Sequence, residues 1–288
     1  MIGIATYRRP DLLRDLLRSV GESVGEERPR IVVVDNDPAG SAAEVGPEAG
    51  YEHEYHREDT PGIAAARNRI VSLLRNDEDA LIFVDDDEVV PVHWFSTLVD
   101  AVRDADVISG PVIARYGHDV PRWVARGGFF DRDRQASRTP TRHPATNNVL
   151  IRVEALRALH GEWFREDFSS TGGSDTELFD RLRRLGARLE WCDEAEVYED
   201  VPRERATLRW LWRRNVRLGN VTSRVRLSGT PRPVRVLLGL GRIVVGCVLS
   251  AVDLVGRGHL TRARATHIPK GWGMVRASFG VNVEEYHR

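Results

Sequence analysis

Three adjacent aspartates, Asp85, Asp86 and Asp87, are the residues whose type and spacing point most directly to chemistry. They follow the apolar run ALIFV without a break. Neighbouring carboxylates raise each other's pKa values unless a cation holds them. Hard divalent ions such as Mn²⁺ or Mg²⁺ take oxygen ligands and complete their shell with phosphate oxygens. Because a buried strand leads straight into the cluster, we interpret it as a metal site rather than a solvated acidic turn.

A second candidate lies in the segment TGGSDTE, residues 171–177. Gly172 and Gly173 allow the backbone to approach a ligand closely. Asp175 then stands at the start of a predicted helix, where Asp and Ser are also favoured as plain N-caps. The alternative use of such a carboxylate is as a general base, provided that a substrate hydroxyl reaches it.

A third set of residues could bind a nucleotide. Asp35 and Asn36 follow the apolar run RIVVV, where they could accept a hydrogen bond from a base or ribose, or simply form an Asx turn. The ring of Tyr7 could stack on a base. The guanidinium groups of Arg8 and Arg67 could pair with a pyrophosphate, or could decorate the surface.

The elements that must position these residues alternate between strand and helix in the first 110 residues. Strands are predicted at 2–6, 30–34, 51–56, 80–84 and 106–109, and helices at 10–20, 62–74 and 94–103. This alternation predicts an α/β fold with a mostly parallel sheet. Ligands bind such sheets at the carboxyl ends of the strands, which is where both acidic clusters fall.

The rest of the chain is predicted from shorter signals. After an irregular stretch we expect a strand at 148–152, a helix at 176–185 and short strands at 189–192 and 196–198. The predicted domains are a catalytic domain at 1–200 and a helical extension at 201–288. Within the catalytic domain, residues 1–110 are predicted to form the nucleotide-binding half and residues 111–200 the acceptor half.

Composition narrows the class of protein. The 288 residues are 41% hydrophobic and 30% charged, as in a soluble globular protein. Cys192 and Cys247 are too few for a disulfide scaffold or a cysteine-rich zinc site. The opening residues lack the order of a secretion signal, so we expect a cytoplasmic protein.

Charge is divided unevenly along the chain. Residues 201–288 carry 17 Lys+Arg against four Asp+Glu, a balance of +13, which leaves −14 on the remainder. Such a tail suits an anionic membrane or phosphate groups. Nucleic acid is not an expected partner, because no DNA-binding motif accompanies the charge.

The apolar stretch at 234–255 is long enough to cross a bilayer, but Arg242 would then lie well inside it. An in-plane amphipathic helix with arginines at the lipid headgroups fits better. A core helix packed on the catalytic domain is the alternative.

Six short elements, in this order, give the sequence a family resemblance. It resembles the family 2 glycosyltransferases of the GT-A fold, closest to bacterial exopolysaccharide enzymes of the succinoglycan type, over roughly residues 1–220. The matching elements are ATYRRPDLL, VVVDNDP, PGIAAARN, IFVDDDE, ATNNVLIR and TGGSDTELFDRLRRLG.

The resemblance implies an inverting transfer of one sugar from a nucleotide diphosphate donor, most simply UDP-linked. The acceptor would be a glycan or a lipid-linked glycan at the inner face of the bacterial membrane. Mn²⁺ or Mg²⁺ would be the cofactor, held by Asp87 with Asp85 or Asp86, and Asp175 would be the catalytic base. The further implied assignments are donor binding by Thr6, Tyr7, Arg8, Asp35, Asn36, Arg67, Asp85 and Asp86, and acceptor binding by Asn147, Asn148, Gly173 and Ser174.

Three positions depart from the family pattern. Ser174 stands where relatives commonly have Glu, so we expect altered acceptor contacts. Glu199 stands where many relatives have a histidine metal ligand, and it is a candidate ligand here. Processive relatives use Q-x-x-R-W, whereas this chain has Ala206 in place of the Gln, which favours a single sugar addition.

Two alternatives stay open at this point. One is a non-catalytic, membrane-associated protein with a degenerate transferase domain, to which Ser174 and Glu199 lend some support. The other is a phosphatase of the haloacid dehalogenase type, which shares a D-x-D after a strand. That class needs a later Lys and an acidic pair, and here only Lys270, followed by Glu284 and Glu285, is available.

Overall fold

The computed structural model of this chain describes residues 1–47, 50–141, 144–168 and 172–281. Thr171, Glu284 and Glu285, which entered the sequence predictions, lie outside the described residues. The chain divides into two compact units. The first contains Met1–Ile113, Arg132–Ser169 and Ser174–Glu199, and the second contains Ala114–Asp131, Ser170–Gly173 and Asp200–Arg288.

The strands of the described residues are short and mostly buried. They are β1 (Ile2–Thr6), β2 (Ile31–Asp35), β3 (Glu54–Arg57), β4 (Ala80–Val84), β5 (Glu88–Val89), β6 (Val107–Ser109), β7 (Val112–Arg115), β8 (Asn148–Arg152), β9 (Leu189–Trp191) and β10 (Val197–Asp200).

Helices connect the strands and form most of the second unit. They are α1 (Pro10–Val24), α2 (Ile63–Ser72), α3 (Trp94–Ala101), α4 (Arg122–Arg126), α5 (Val153–Arg157), α6 (Ser174–Arg184), α7 (Leu208–Val221), α8 (Arg232–Arg257), α9 (Arg262–Ala265) and α10 (His267–Ser278). Single turns of 3₁₀-helix occur at Glu166–Phe168 and Arg203–Arg205, and a π-helical turn at Thr222–Arg226.

The main sheet has the strand order β3-β2-β1-β4-β8-β6-β9 within the described residues. Strands β1, β2, β3 and β4 are parallel, and so is the pair β6–β9, whereas β8 runs antiparallel to both β4 and β6. The sheet is therefore mixed, and the α/β prediction is confirmed with one reversed strand at its centre. A smaller sheet has the order β5-β10-β7.

Alternation along the central strands explains why they are apolar on both faces. Ile2, Ile4, Val33 and Val84 point into a core with α1 and α3, while Val34 and others on the opposite pleat point into a core with α2 and α6. A strand covered on both faces reads as a continuous hydrophobic run. This double burial leaves only the strand ends for polar chemistry.

The helices of the second unit approach each other through glycines. A side chain at Gly219 of α7 would overlap with the backbone of Lys270 in α10, and one at Gly273 of α10 would overlap with the backbone oxygen of Val216. On the other side of α10, Gly239 of α8 lies against the backbone of α10 in the same way. Close backbone approach, rather than interdigitating large side chains, therefore holds α7, α10 and α8 together.

Among the described helices, α8 alone is long and apolar enough to cross a membrane, judged by length and composition. Its most apolar window has a mean hydropathy of 1.9, and only 22% of that window is buried. This exposure argues against a core helix. Asp253 on α8 is fully buried. Its carboxylate pairs with Arg257 and Arg264 and accepts a hydrogen bond from the backbone N–H of Thr261.

Two helical glycines of the second unit should respond oppositely to alanine. Gly273→Ala overpacks the α7–α10 contact and should lower the free energy of unfolding by about 1–3 kcal/mol. Gly241→Ala in α8 meets open space, so the better helix former should leave stability unchanged or raise it by about 0.5–1 kcal/mol. Urea unfolding followed by circular dichroism measures both. Equal stability of the two variants would contradict the close α7–α10 approach.

Candidate active site

Asp86, the middle one of the three adjacent aspartates, links the end of β4 to the end of β1. Asp86 follows β4 and its side chain is only 7% exposed. One of its carboxylate oxygens accepts a hydrogen bond from Oγ1 of Thr6 at 2.7 Å, at the end of β1. The other accepts from Arg9 at 3.0 Å, and the same Arg9 nitrogen donates to Asp87 at 3.0 Å. Arg9 thus bridges Asp86 and Asp87, and the β1–α1 loop is fastened to the end of β4.

The first aspartate is paired with a different helix. Arg67 of α2 donates to Asp85 at 3.3 Å, as a charge-assisted hydrogen bond. The backbone N–H of Asp85 in turn donates to the carboxylate of Glu88, a buried residue on β5. Arg67, which the sequence analysis placed near the phosphates of a donor, therefore contacts the acidic cluster directly.

Crowding of these carboxylates shows in their proton affinities. Loss of water raises the pKa of Asp86 to about 6, although Arg9 opposes the shift. Loss of water also raises the pKa of Asp85 despite Arg67, and raises that of Glu88 well above its usual range, with the Asp85 charge adding to it. The charges of Arg9, Arg67 and Arg132 do not fully compensate the negative charge at this edge.

Glu199 joins the same cluster from the smaller sheet. Strand β10 pairs antiparallel with β5, which places Glu199 opposite Glu88. The Glu199 carboxylate accepts a hydrogen bond from Arg132 at 2.8 Å, and its charge helps to raise the pKa of Asp85. Glu199, which stands where many relatives have a metal-binding histidine, therefore lies at the acidic cluster.

The donor set fits a divalent cation in its chemistry. Within the residues that the structure describes, no three acidic, histidine or cysteine side chains form a ready-made metal site. Cations such as Mg²⁺ are commonly held by only one or two carboxylates, with water and substrate phosphates supplying the rest. Asp85 and Asp87 provide such oxygens, and the raised pKa of Asp85 shows negative charge that a cation would stabilise.

Asp35 lies beside Thr6 at the end of the neighbouring strand, since the two residues are register partners in the β1–β2 pair. It is fully buried. Its oxygens accept hydrogen bonds from the backbone N–H groups of Asp37 at 2.9 Å and Ala42 at 2.8 Å, and from the hydroxyl of Tyr55 at 3.2 Å. Its carboxylate therefore shapes the loop after β2, and its role toward a nucleobase remains a prediction.

Asn36 also organises a loop. Its amide nitrogen donates to the carbonyl oxygens of Glu58 and Thr60 at 2.8 and 2.7 Å, and its amide oxygen accepts from Gly62 at 2.8 Å. These bonds hold the entry to α2, the helix that carries Arg67. The predicted donor-binding role of Asn36 is thus accompanied by an indirect one, the placement of α2.

Tyr7 and Arg8 form the tip of the β1–α1 loop. Arg8 lies over the Tyr7 ring at 5.0 Å and pairs with Asp37 at 3.3 Å. Arg8 has a φ of 55°, in the left-handed region that non-glycine residues seldom adopt. Such strain is concentrated at functional loops, which agrees with the predicted binding role of this segment.

Asp175 occupies the first turn of α6, one residue after the helix begins at Ser174. Its Oδ1 accepts a hydrogen bond from the backbone N–H of Thr176 at 2.6 Å. Among the described residues, Asp175 makes no hydrogen bond or ion pair to the acidic cluster. Its position relative to that cluster is instead set through the helix that carries it.

A chain of contacts connects α6 to the acidic cluster through α2. Arg181 of α6 donates to the carbonyl oxygens of Glu162 and Trp163. The next residue, Phe164, exchanges two hydrogen bonds of 2.8 Å with Asn68 of α2. Because Asn68 adjoins Arg67, which holds Asp85, these contacts fix α6 relative to the end of β4.

The predicted acceptor residues separate into two groups. Asn148 is fully buried on β8, where its amide accepts from the Trp94 indole at 3.0 Å and donates to the carbonyls of Ala195 and Pro111 at 2.6 and 3.1 Å. These bonds use its polar atoms inside the protein, so we leave Asn148 out of the proposed acceptor site.

The other acceptor candidates keep their predicted role. Asn147 is 8% exposed next to Asn148. Gly173 has a φ of 98°, a conformation that favours glycine, immediately before α6, and Ser174 is buried at the first position of that helix. Thr171, which begins the motif, lies outside the described residues.

Three residues of the site received no individual role from the sequence. Arg9 belongs to the same TYRR segment as Arg8, and Glu88 ends the acidic run that begins at Asp85. Arg132 lies in an irregular, arginine-rich stretch where no local pattern distinguishes it from its neighbours.

A mixed sheet with nucleotide-suited loops and an acidic cluster after its central strand defines a glycosyltransferase of the GT-A fold. The sequence profile of Glycosyl transferase family 2 matches residues 1–160, and the chain belongs to this family. This assignment confirms the resemblance and excludes the phosphatase alternative.

Known proteins support the same assignment. The chain is 35% identical over 231 residues to the succinoglycan biosynthesis protein ExoM of Rhizobium meliloti (strain 1021), covering 78% of this chain and 74% of that protein. The crystal structure of S. aureus TarS 1-349 is similar in fold, with a TM-score of 0.55 and 14% identity, over 97% of this chain and 90% of that one. GalNAc-T7 with UDP, GalNAc and Mn²⁺ also has a TM-score of 0.55, at 13% identity, over 77% and 47% of the two chains.

The raised pKa of Asp86 predicts a pH-dependent contribution to stability. Without divalent cations, this carboxyl ionises at a higher pH in the native state than when unfolded, so its contribution is full below pH 4 and is lost as pH rises through about 6. Asp86→Asn should therefore gain stability relative to the wild type, by up to about 3 kcal/mol, between pH 4 and 7. Urea unfolding in EDTA measures the difference.

The matched control for this comparison is Asp200→Asn. The Asp200 side chain is 76% exposed and pairs with Arg115 on the surface. Its stability difference from the wild type should stay flat over the same pH range. A flat profile for Asp86→Asn as well would show that Arg9 and Thr6 compensate the buried charge completely.

Proposed function

We propose that this protein is an inverting, metal-dependent glycosyltransferase that moves one sugar from a UDP-linked donor to a glycan or lipid-linked acceptor. The product would enter cell-surface or exopolysaccharide synthesis at the inner face of the bacterial membrane. One observation carries the proposal: Asp85, Asp86 and Asp87 lie with Thr6 and Arg67 at one strand edge, in a family 2 domain.

Relatives give the proposal its chemical detail. TarS has been crystallised in complex with UDP-GlcNAc, at a TM-score of 0.51 and 14% identity to this chain, and GalNAc-T7 with UDP and Mn²⁺. These structures favour a uridine diphosphate donor and a divalent cation here. The relation to a succinoglycan biosynthesis protein favours a growing glycan as the acceptor.

In the proposed mechanism, the loop of Thr6 and Tyr7 and the end of β2 at Asp35 hold the nucleobase. Arg8 and Arg67 face the donor phosphates. Asp85 and Asp87 would hold Mn²⁺ or Mg²⁺, with Glu199 as a further candidate. When bound, such an ion stabilises the charge that develops on the leaving nucleoside diphosphate.

The acceptor side depends on the start of α6. Asp175 takes the proton from the acceptor hydroxyl while that oxygen attacks the anomeric carbon on the face opposite the leaving group. A single displacement of this kind inverts the configuration and needs no covalent intermediate. Gly173 and Ser174, which precede the base, and Asn147 are retained as acceptor contacts. The absent processivity motif favours one addition per binding event.

Asp175→Asn tests the base. The variant keeps the shape of the side chain but cannot accept the proton, so transfer should fall by at least about a hundredfold while UDP affinity stays within a few-fold. Transfer is followed by release of UDP and binding by calorimetry. Asp180→Asn, on the same helix, is the control and should retain activity. Near-normal turnover of Asp175→Asn would show that another group serves as the base.

Asp87→Ala tests the cation site. Loss of this carboxylate should reduce the increase in melting temperature that UDP and Mn²⁺ produce together, by removing one ligand and leaving Arg9 paired with Asp86 alone. Asp15→Ala on α1, where the carboxylate is 58% exposed, is the matched control. If Mn²⁺ failed to increase UDP binding even in the wild type, the metal-dependent mechanism would be wrong.

A further inference from the structure

Helix α8 exposes apolar side chains on the side where a helix of a soluble protein normally carries polar ones. Its outer face, defined by Leu237, Leu238, Val244, Val245, Val248 and Val252, is 47–67% exposed at every one of these positions. These residues recur at helical spacing and form one stripe. Contiguous apolar surface of this kind marks an interaction site rather than ordinary surface.

The inner side of α8 is already occupied. Gly239 and Gly246 lie against α10, where a side chain at Gly246 would meet Ile268 and His267. Helix α10 itself carries His267, Lys270 and Arg276. Since α8 is packed along its length on a helix with charged residues, it is suited to lie flat on a partner and not to cross a bilayer.

Charge identifies the partner. Residues 232–281 contain eight Lys+Arg and one acidic residue, Asp253, which is buried and paired. Arg235 and Arg242 share the helical spacing of Gly239 and Gly246 on the inner side of α8, where their Nε atoms are buried and have no hydrogen-bond partner among the described residues. An anionic surface would complement the net positive charge of the segment, and its hydrocarbon would accept the apolar stripe.

A second copy of the chain fits this surface poorly. In a symmetric dimer each outer face would meet its own copy, which brings the positively charged segments 232–281 of both chains together. With Asp253 unavailable, the described part of α8–α10 offers no acidic group to compensate that repulsion. Anionic lipid headgroups compensate it, while the acyl region accepts the valines and leucines.

A cavity beside this face has the same double character. It has a volume of about 440 Å³ and is lined by the apolar side chains of Leu238, Val245 and Met274 together with Arg242 and His267. Burial lowers the pKa of His267, and the nearby Arg242 charge lowers it further. Arg242 is therefore the charged group of this cavity, beside an imidazole that favours its neutral form and several apolar side chains.

We propose that the outer face of α8 docks in the plane of an anionic lipid bilayer, attracted by the net positive charge of residues 232–281. The inference rests on the membrane location in the proposed function, and it specifies the surface and the lipid charge. It places the protein as a peripheral one, held by one helix face and released by high salt.

Vesicle co-sedimentation of the full-length protein, without nucleotide, tests the proposal. Vesicles of phosphatidylcholine mixed with phosphatidylglycerol should bind the protein, and pure phosphatidylcholine should bind it much more weakly. The double variant Val244→Glu/Val248→Glu places two carboxylates on exposed positions of the outer face and should weaken binding about tenfold or more. Raising the salt concentration should weaken wild-type binding, because salt screens the attraction to anionic headgroups.

The matched control is Val92→Glu/Leu185→Glu, which adds the same charge at apolar positions that are 69% and 61% exposed on the first unit. It should bind vesicles like the wild type. Absence of wild-type binding to anionic vesicles, or equal loss in both double variants, would overturn the proposal. So would a concentration-dependent dimer, detected by light scattering, that Val244→Glu/Val248→Glu abolishes while vesicle binding persists. UDP binding, measured separately by thermal shift, reports on the proposed enzyme function independently of every vesicle result.

Discussion

Crowded negative charge after β4 is the constraint on which the arrangement of the first unit depends. Asp85, Asp86 and Glu88 lose water there, and a carboxylate that loses water must be protonated or paired. The pairing cations come from separate parts of the chain, Arg9 from the start of α1 and Arg67 from α2. Loop, helix and strand converge at this edge because only together do they hold the charge. Guanidinium groups assembled in this way also suit the pyrophosphate of a nucleotide sugar.

Local sequence patterns predicted the parts of the fold that depend on burial alone. The bounds of β4 and β8 were correct to the residue, because runs covered on both faces are apolar throughout and end abruptly at polar residues. The polar partners were harder to predict. Arg132 and Glu199 are 67 positions apart, and such a pair leaves no trace in either neighbourhood. Asn148 was assigned to the acceptor from the family resemblance alone, and its three partners, Trp94, Pro111 and Ala195, are likewise distant in sequence.

The second unit was harder to predict because glycine replaces large side chains at its helix contacts. Leu208 and Trp212 of α7 are large apolar residues, yet they are 69% and 47% exposed. The positions that contact α10 most closely include Gly219. A pattern of large apolar residues locates a core only where those residues fill it. Where two helix backbones contact each other through glycines, the large apolar side chains lie on the opposite, exposed side of the helix. Their spacing then marks the outer face and not the core.

This reversal gives the exposed face of α8 its significance. The chain buries the apolar residues of β1, β2 and β4 almost completely. The exposed residues of α8 are therefore an exception within this protein. Exposing apolar surface costs free energy in proportion to its area. An outward stripe of valine and leucine, on a segment with a net positive charge, therefore indicates a second environment that stabilises both features. A helix held by glycines on one side can present that stripe without giving up its own support.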